Sequence, residues 1–287
     1  MTPPLANVLA RKLIFFGGKG GVGKSTVSQA AALALAKKGR KVLWIAFEDP
    51  HRPRGDLREI SPGLWALNCD VAGAFEEYIQ LKLGLGAIAR VFLRNTLIQY
   101  LSKAAPGIQE VVLTGKVWYE TRNYDQVVVD MPSTGYGLAM FHSTRNYSKL
   151  FRGGPVQRDA LKMLDTFADP TQAGCVVLAL PEEMPIAESL EMADHLRELF
   201  PLNPPGFLVN KLFPAVPSDL DPHPDHWRDP LPASTLDYAR RRTLVERHNL
   251  ALYPDSPETL SYWVQEPSPG PEWLRDRLAE EIGGLLR

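Results

Sequence analysis

The stretch KLIFFGGKGGVGKST, Lys12 to Thr26, decides how this chain is read. An apolar run enters a turn dense in glycine, and from Ser25 to Lys38 an Ala- and Leu-rich segment follows and stops at Gly39. That order predicts a strand, a loop and a helix, with Gly39 as the C-terminal cap. Gly18 to Ser25 fits G-x-x-x-x-G-K-[ST], a pattern whose glycines let backbone N–H groups curl around a phosphate that also faces a helix N-terminus. Gly18, Gly20, Gly21, Val22 and Gly23 are therefore expected to cradle ATP. Lys24 is expected on the β- and γ-phosphates, the Ser25 hydroxyl on Mg²⁺, and Thr26 at the α-phosphate.

Outward from this unit, Lys41 to Phe47, Tyr124 to Asp130, Gly174 to Leu180 and Gly206 to Asn210 are continuous Val/Ile/Leu-rich runs with helix-like stretches between them. Continuous rather than alternating hydrophobicity predicts buried parallel strands, so the fold class is α/β, a doubly wound, mostly parallel sheet. Leu64 to Leu67 and Leu250 to Tyr253 are read as added edge strands. Glu48 to Asn123 is too long for one crossover helix, and Gly135 to Phe167 is a second helical stretch. The chain is read as a single domain, 1–287, with helical insertions at one end of the sheet, at about 71–120 and 136–168. Phe200 to Pro232 contains nine prolines, which mark loops, and Trp273 to Leu286 reads as a closing helix. Asp130 ends the VVVD run, where a carboxylate holds Mg²⁺ at the sheet's C-terminal edge.

Composition narrows the class. With 45% hydrophobic and 23% charged residues, the 287-residue chain can bury a sizeable core and is not globally disordered. Lys plus Arg is 32 and Asp plus Glu is 33, a balance that argues against a broad nucleic-acid surface. Cys69 and Cys175 form no Cys-x-x-Cys pair and read as small core residues. Asp221, His223, Asp225 and His226 carry metal-binding atoms, but sit among prolines and read as loop. Met1 to Ala10 lacks a signal-peptide pattern and no apolar run is long enough to span a bilayer, so no integral membrane segment is expected and the location is read as cytoplasmic.

GKGGVGKST is more specific than an ordinary P-loop. Its early lysine, Lys19, resembles that of the deviant Walker A class of ATPases, where the resemblance implies a reach across a dimer interface to the partner's nucleotide. The sequence DMPSTGY, Asp130 to Tyr136, resembles the switch II element of the arsenite-pump ATPase (ArsA) family, which includes the ATPase that targets tail-anchored membrane proteins. LPEEMPIAESLE, Leu180 to Glu191, resembles that family's Pro-Glu…Glu segment, and Ala105 to Lys116 resembles its insertion. Asn210, followed by Lys211, matches its adenine-contacting position. Switch I of the family reads Asp-Pro-Ala-His-x-x-x-Asp, and here it reads DPHRPRGD, Asp49 to Asp56. The resemblance implies that Asp56 positions the attacking water. A displaced histidine, two arginines and an extra proline imply slow hydrolysis, and Tyr136 and Met131 replace a histidine and a threonine of switch II.

What the resemblance implies overall is an ATP-dependent dimeric switch whose insertions bind a hydrophobic client or a partner protein, with Leu81 to Leu101 and Tyr147 to Phe167 as candidate surface or core. The dimer would be a homodimer, or a heterodimer with a related ATPase. A positioning ATPase of the ParA/MinD kind shares the Lys19-type loop but calls for a basic patch or a basic C-terminal amphipathic helix, and Glu272 to Arg287 is acidic in balance. A weakly catalytic regulatory subunit, its altered switches binding nucleotide beside a related ATPase, is the third reading.

Overall fold

In the computed structural model, which describes residues 2–83, 106–150, 153–214, 233–261 and 270–286, strand β1 (Leu13–Gly18) lies inside an eight-stranded sheet. The order is β3 (Leu57–Ser61), β4 (Leu64–Cys69), β2 (Val42–Phe47), β5 (Gln126–Asp130), β1, β6 (Ala173–Ala179), β7 (Gly206–Leu212), β8 (Glu258–Ser261). Every neighbouring pair is parallel except β3 with β4. The doubly wound, mostly parallel sheet expected from the sequence is present. Winding reverses beside β1, whose neighbours are β5 on one side and β6 on the other, and a sheet of this kind binds its ligand at that reversal.

All six residues of β1 are buried because helices cover both faces, which is why its sequence does not alternate. On one face Leu13 and Phe15 join Ile45, Val129 and Val177 against α4 (Ile108–Glu120), α5 (Thr134–Leu150), α6 (Gly154–Ala168) and α7 (Glu183–Leu199). Phe15, Phe141 and Phe167 meet there edge to face, with centroids 5.1–5.6 Å apart, each pair contributing about 1 kcal/mol beyond its buried area. On the other face Ile14 and Phe16 pack against α1 (Leu5–Leu9), the alanines of α2 (Lys24–Ala36), and Leu278, Ala279 and Ile282 of α9 (Pro271–Leu285). The apolar face of α9 is thus used inside the fold. Among the described residues, no helix is long and apolar enough to cross a membrane.

Three sequence readings change. Leu64 to Leu67 is not an edge: β4 is covered by antiparallel β3, whose Arg58 and Glu59 hid it from an apolar search. Leu250 to Tyr253 is not a strand but the end of α8 (Ala233–Leu250) and its following turn, and β8 takes the edge. Its apolar character serves packing, since the buried Tyr253 ring lies 4.8 Å from Phe207 and its hydroxyl pairs with Ser189 Oγ at 2.8 Å. Tyr147 and Phe167, the ends of a candidate client surface, are 3% and 2% exposed and belong to the core. Val91, Phe92, Leu97 and Tyr100, and the Asp221 to His226 loop, lie outside the described residues.

Between α3 (Val71–Leu83), α4 and α6 is a cavity of about 410 Å³, walled by Phe75, Ile79, Val112, Trp118 and Met163. Lys116 on its wall is neutralised by Glu77 at 2.6 Å and Glu120 at 2.5 Å. Cys69 and Cys175 end β4 and lie within β6, and burial raises both thiols to about 12.

Candidate functional site

The loop between β1 and α2 needs glycine at both ends. Gly18 has φ +139° and Gly23 φ +95°, and a Cβ on Gly23 would come within 2.5 Å of Asn210 Nδ2. That amide donates to Val22 O at 2.9 Å, while Asn210 Oδ1 accepts from Lys211 N at 2.9 Å, so the end of β7 is stitched to the phosphate loop. Lys211 has φ 62° and Glu48, at the end of β2, φ 48°, two non-glycine residues in the left-handed region beside the site.

Lys24 opens α2 and curls back, its Nζ donating to Lys19 O at 2.8 Å. It is 9% exposed, and burial lowers its pKa while Asp130 pulls it up. Phe16 pairs in register with Asp130, so the carboxylate stands beside the loop. Burial raises Asp130 to about 6, against the Ser25 hydroxyl and Lys24, which lower it, while Asp49 raises it further. Its Oδ1 is shut off from solvent with no partner. Lys24, Ser25, Trp44, Asp49, Asp130 and Ser133 line one cleft of about 320 Å³. An orphaned carboxylate oxygen, a serine hydroxyl and a second carboxylate around a cleft are a donor set that fits Mg²⁺, which takes one or two carboxylates and completes its shell with phosphate and water.

The loop from Asp49 to Asp56 hangs on one side chain that no motif announced. Asn68, fully buried in β4, donates from Nδ2 to Asp49 O, Arg52 O and Pro53 O at 2.9–3.1 Å and accepts from Asp49 N at 2.9 Å. Its backbone pairs with Gly55 N and Asp56 O. Asp49 thereby reaches the cleft. Asp56 does not line it: its Oδ2 accepts from Arg52 Nη2 at 3.3 Å and meets Arg58 Nε at 3.4 Å. Arg52 also lies over the Trp44 ring, 5.8 Å from its centroid, and Trp44 Nε1 donates to Ser28 Oγ at 2.9 Å.

In the stretch Asp130 to Tyr136, Met131 is 2% exposed and bonded through its N–H to Phe16 O at 3.0 Å, while Tyr136 is 38% exposed. Lys19 forms an ion pair with Glu188 of α7. The structure thus gathers Lys24, Ser25, Asp130 and Asn210 at one site, adds Asp49, and leaves Asp56 and Lys19 engaged by other residues of the same chain.

Residues 11–162 match a family described as anion-transporting ATPase. ATPase BagA of Mycobacterium tuberculosis is 34% identical over 232 residues, 71% of this chain and 66% of that protein. A putative arsenical pump-driving ATPase of Aquifex aeolicus is 28% identical over 249 residues, 72% of this chain and 82% of that protein. ATPase get3 of Pyrenophora tritici-repentis is 26% identical over 216 residues, 69% of this chain and 62% of that protein. The chain therefore spans about two thirds of the length of the mycobacterial relative.

Proposed function

The chain belongs to the ArsA family of anion-transporting ATPases, and from that premise we propose that it is an ATP-dependent dimeric switch coupling ATP binding and hydrolysis to capture of a hydrophobic client or partner protein. The observation that carries this reading is the buried, unpartnered Asp130 oxygen beside Lys24 and Ser25 at the carboxyl edge of the sheet. Lys24 neutralises the β- and γ-phosphates, and the backbone of Gly18 and Gly20 to Gly23 wraps them. Ser25 and Asp130 hold Mg²⁺, which when bound supplies positive charge to the phosphate oxygens. Asn210 and Lys211 border the base. Asp56 orients water once free of its arginines, and Lys19 serves the partner's nucleotide once free of Glu188, so turnover is slow. We read residues 1–287 as one domain, with the insertions at about 71–120 and 136–168 carrying the client site. The apolar cavity between α3, α4 and α6 supports that assignment.

The engagement of Asp56 by Arg52 and Arg58 also favours a second reading, a nucleotide-binding subunit of low turnover that pairs with a related ATPase. One experiment separates them: light scattering and phosphate release with MgATP for the wild type and Lys19→Ala. The switch predicts an ATP-dependent doubling of mass and a release rate that Lys19→Ala lowers by roughly 10³-fold or more. A monomer that binds MgATP without measurable turnover supports the regulatory subunit, and a chain that binds no nucleotide overturns both.

A further inference from the structure

We propose that Arg52 and Arg58 are the terminal-phosphate contacts of the nucleotide site, and that the Asp56 carboxylate occupies them in place of that phosphate. The proposal rests on the P-loop reading above and adds to it a basis for telling a nucleoside triphosphate from a diphosphate. Arg52 is one of the two arginines that set DPHRPRGD apart, Arg58 follows the string on β3, and the fold brings Arg52 and Arg58 to one place. Arg52 and Arg58 line a cavity of about 250 Å³ together with Ser25, Thr26, Gln29 and Asp49. Ser25, Trp44 and Asp49 line this cavity and the 320 Å³ cleft of Lys24 and Asp130 as well, so the two spaces meet at the first turn of α2.

The arginines are short of acceptors. A guanidinium carries five N–H donors in a planar fork, and its charge-assisted bonds to an oxyanion run at about 2.7–2.9 Å. Here both heads share one oxygen, Asp56 Oδ2, at 3.3 and 3.4 Å. Arg52 is only 12% exposed at its side chain, and its Nε is sealed from solvent without a partner. A buried donor left unmade is costly, and Asp49, the other carboxylate lining that cavity, does not take it: its Oδ1 accepts from His51 N at 2.9 Å. A terminal phosphate brings three oxygens and more negative charge than Asp56, which makes it the better acceptor for both forks. A diphosphate ends where Lys24 and the loop backbone hold it and gains nothing from the exchange. Departure of the arginines frees the Asp56 carboxylate, so the arrival of a triphosphate and the release of the residue at the catalytic position become one event.

Calorimetric titration with a non-hydrolysable ATP analogue and with ADP, both with Mg²⁺ at one salt concentration, tests this without any turnover. The double variant Arg52→Ala/Arg58→Ala is expected to weaken the triphosphate analogue about tenfold or more and to leave ADP within about threefold. Asp56→Asn, which drops the competing charge, is expected to tighten the analogue several-fold and leave ADP unchanged. Arg58 is 59% exposed at its side chain, so Arg58→Ala alone keeps the fold and is expected to shift the same ratio by about threefold. An unchanged ratio in Arg58→Ala and in the double variant, with Lys24→Ala losing both nucleotides, would overturn the exchange and leave the P-loop reading standing. A wild-type chain that binds neither nucleotide would overturn that reading and this one with it.

Discussion

Gly18 to Ser25 and Asp49 to Asp56 border one cleft, but the first loop is shaped by its own glycines while the second hangs from Asn68, a side chain on another strand. A backbone-built loop is already in shape when phosphate arrives. A loop tied by one amide, with its Arg52 and the adjacent Arg58 of β3 turned onto its own aspartate, has somewhere else to go. Under the exchange proposed above, the first loop binds and the second responds.

The strongest way to break this division is Lys24→Ala. Binding of MgATP should fall by roughly 10³-fold, about 4 kcal/mol, because Arg52 reaches only the terminal phosphate and nothing in the Asp49 to Asp56 loop replaces the cation at the β-phosphate. Calorimetry decides it, and retention of affinity would move binding out of the glycine loop. Next in size is Asn68→Ala, which strands three backbone carbonyls and the Asp49 N–H; a loss of about 3 kcal/mol in urea unfolding is expected. A loss under about 1 kcal/mol would show that the second loop is held by other means.

A pH test sharpens the comparison at the point where the two loops meet. The folded-state pKa of Asp130 is about 6, above the ordinary 3.8, so between those values the folded protein holds a proton that the unfolded chain has lost. Stability of the nucleotide-free chain should therefore be highest at the acid end of that window and fall by about 3 kcal/mol as pH rises through 6, other carboxylates aside. Asp130→Asn should flatten that component of the profile, as read by urea unfolding between pH 4.5 and 8. The smallest effect belongs to Glu188→Gln. With Lys19 half exposed, loss of the pair should change stability by less than about 1 kcal/mol, so a larger change would mean that the ion pair holds the glycine loop in shape.

Legibility in the sequence follows the same division. The glycine string and the parallel strands were readable because each is a local pattern with a local cause, whereas Asn210 was singled out by the family resemblance alone. Asn68 was not, since a single Asn inside an apolar strand carries no signal until the opposite loop is laid beside it. Strand β3 escaped because an edge strand with Arg58 and Glu59 has no buried second face to demand apolar residues. Leu250 to Tyr253 misled for the converse reason: residues that pack beneath a sheet look like residues that pair within one. The partners of Lys19 and Asp56 are likewise a matter of geometry. One lies across the fold on α7, and the others are neighbours whose charge was visible but whose direction was not.

Trp44 sits where these events would be felt. Its indole is 5% exposed, tethered to Ser28 of the α2 helix and covered by the Arg52 guanidinium, and it borders both spaces at the first turn of that helix. A cation lifted from an indole face changes the colour and yield of its emission. The chain holds six tryptophans, so the difference in fluorescence between the wild type and Trp44→Phe isolates this one. Under the proposed exchange, Trp44 is an optical gauge of the second loop, one that reads out the arrival of a triphosphate in real time with no label attached.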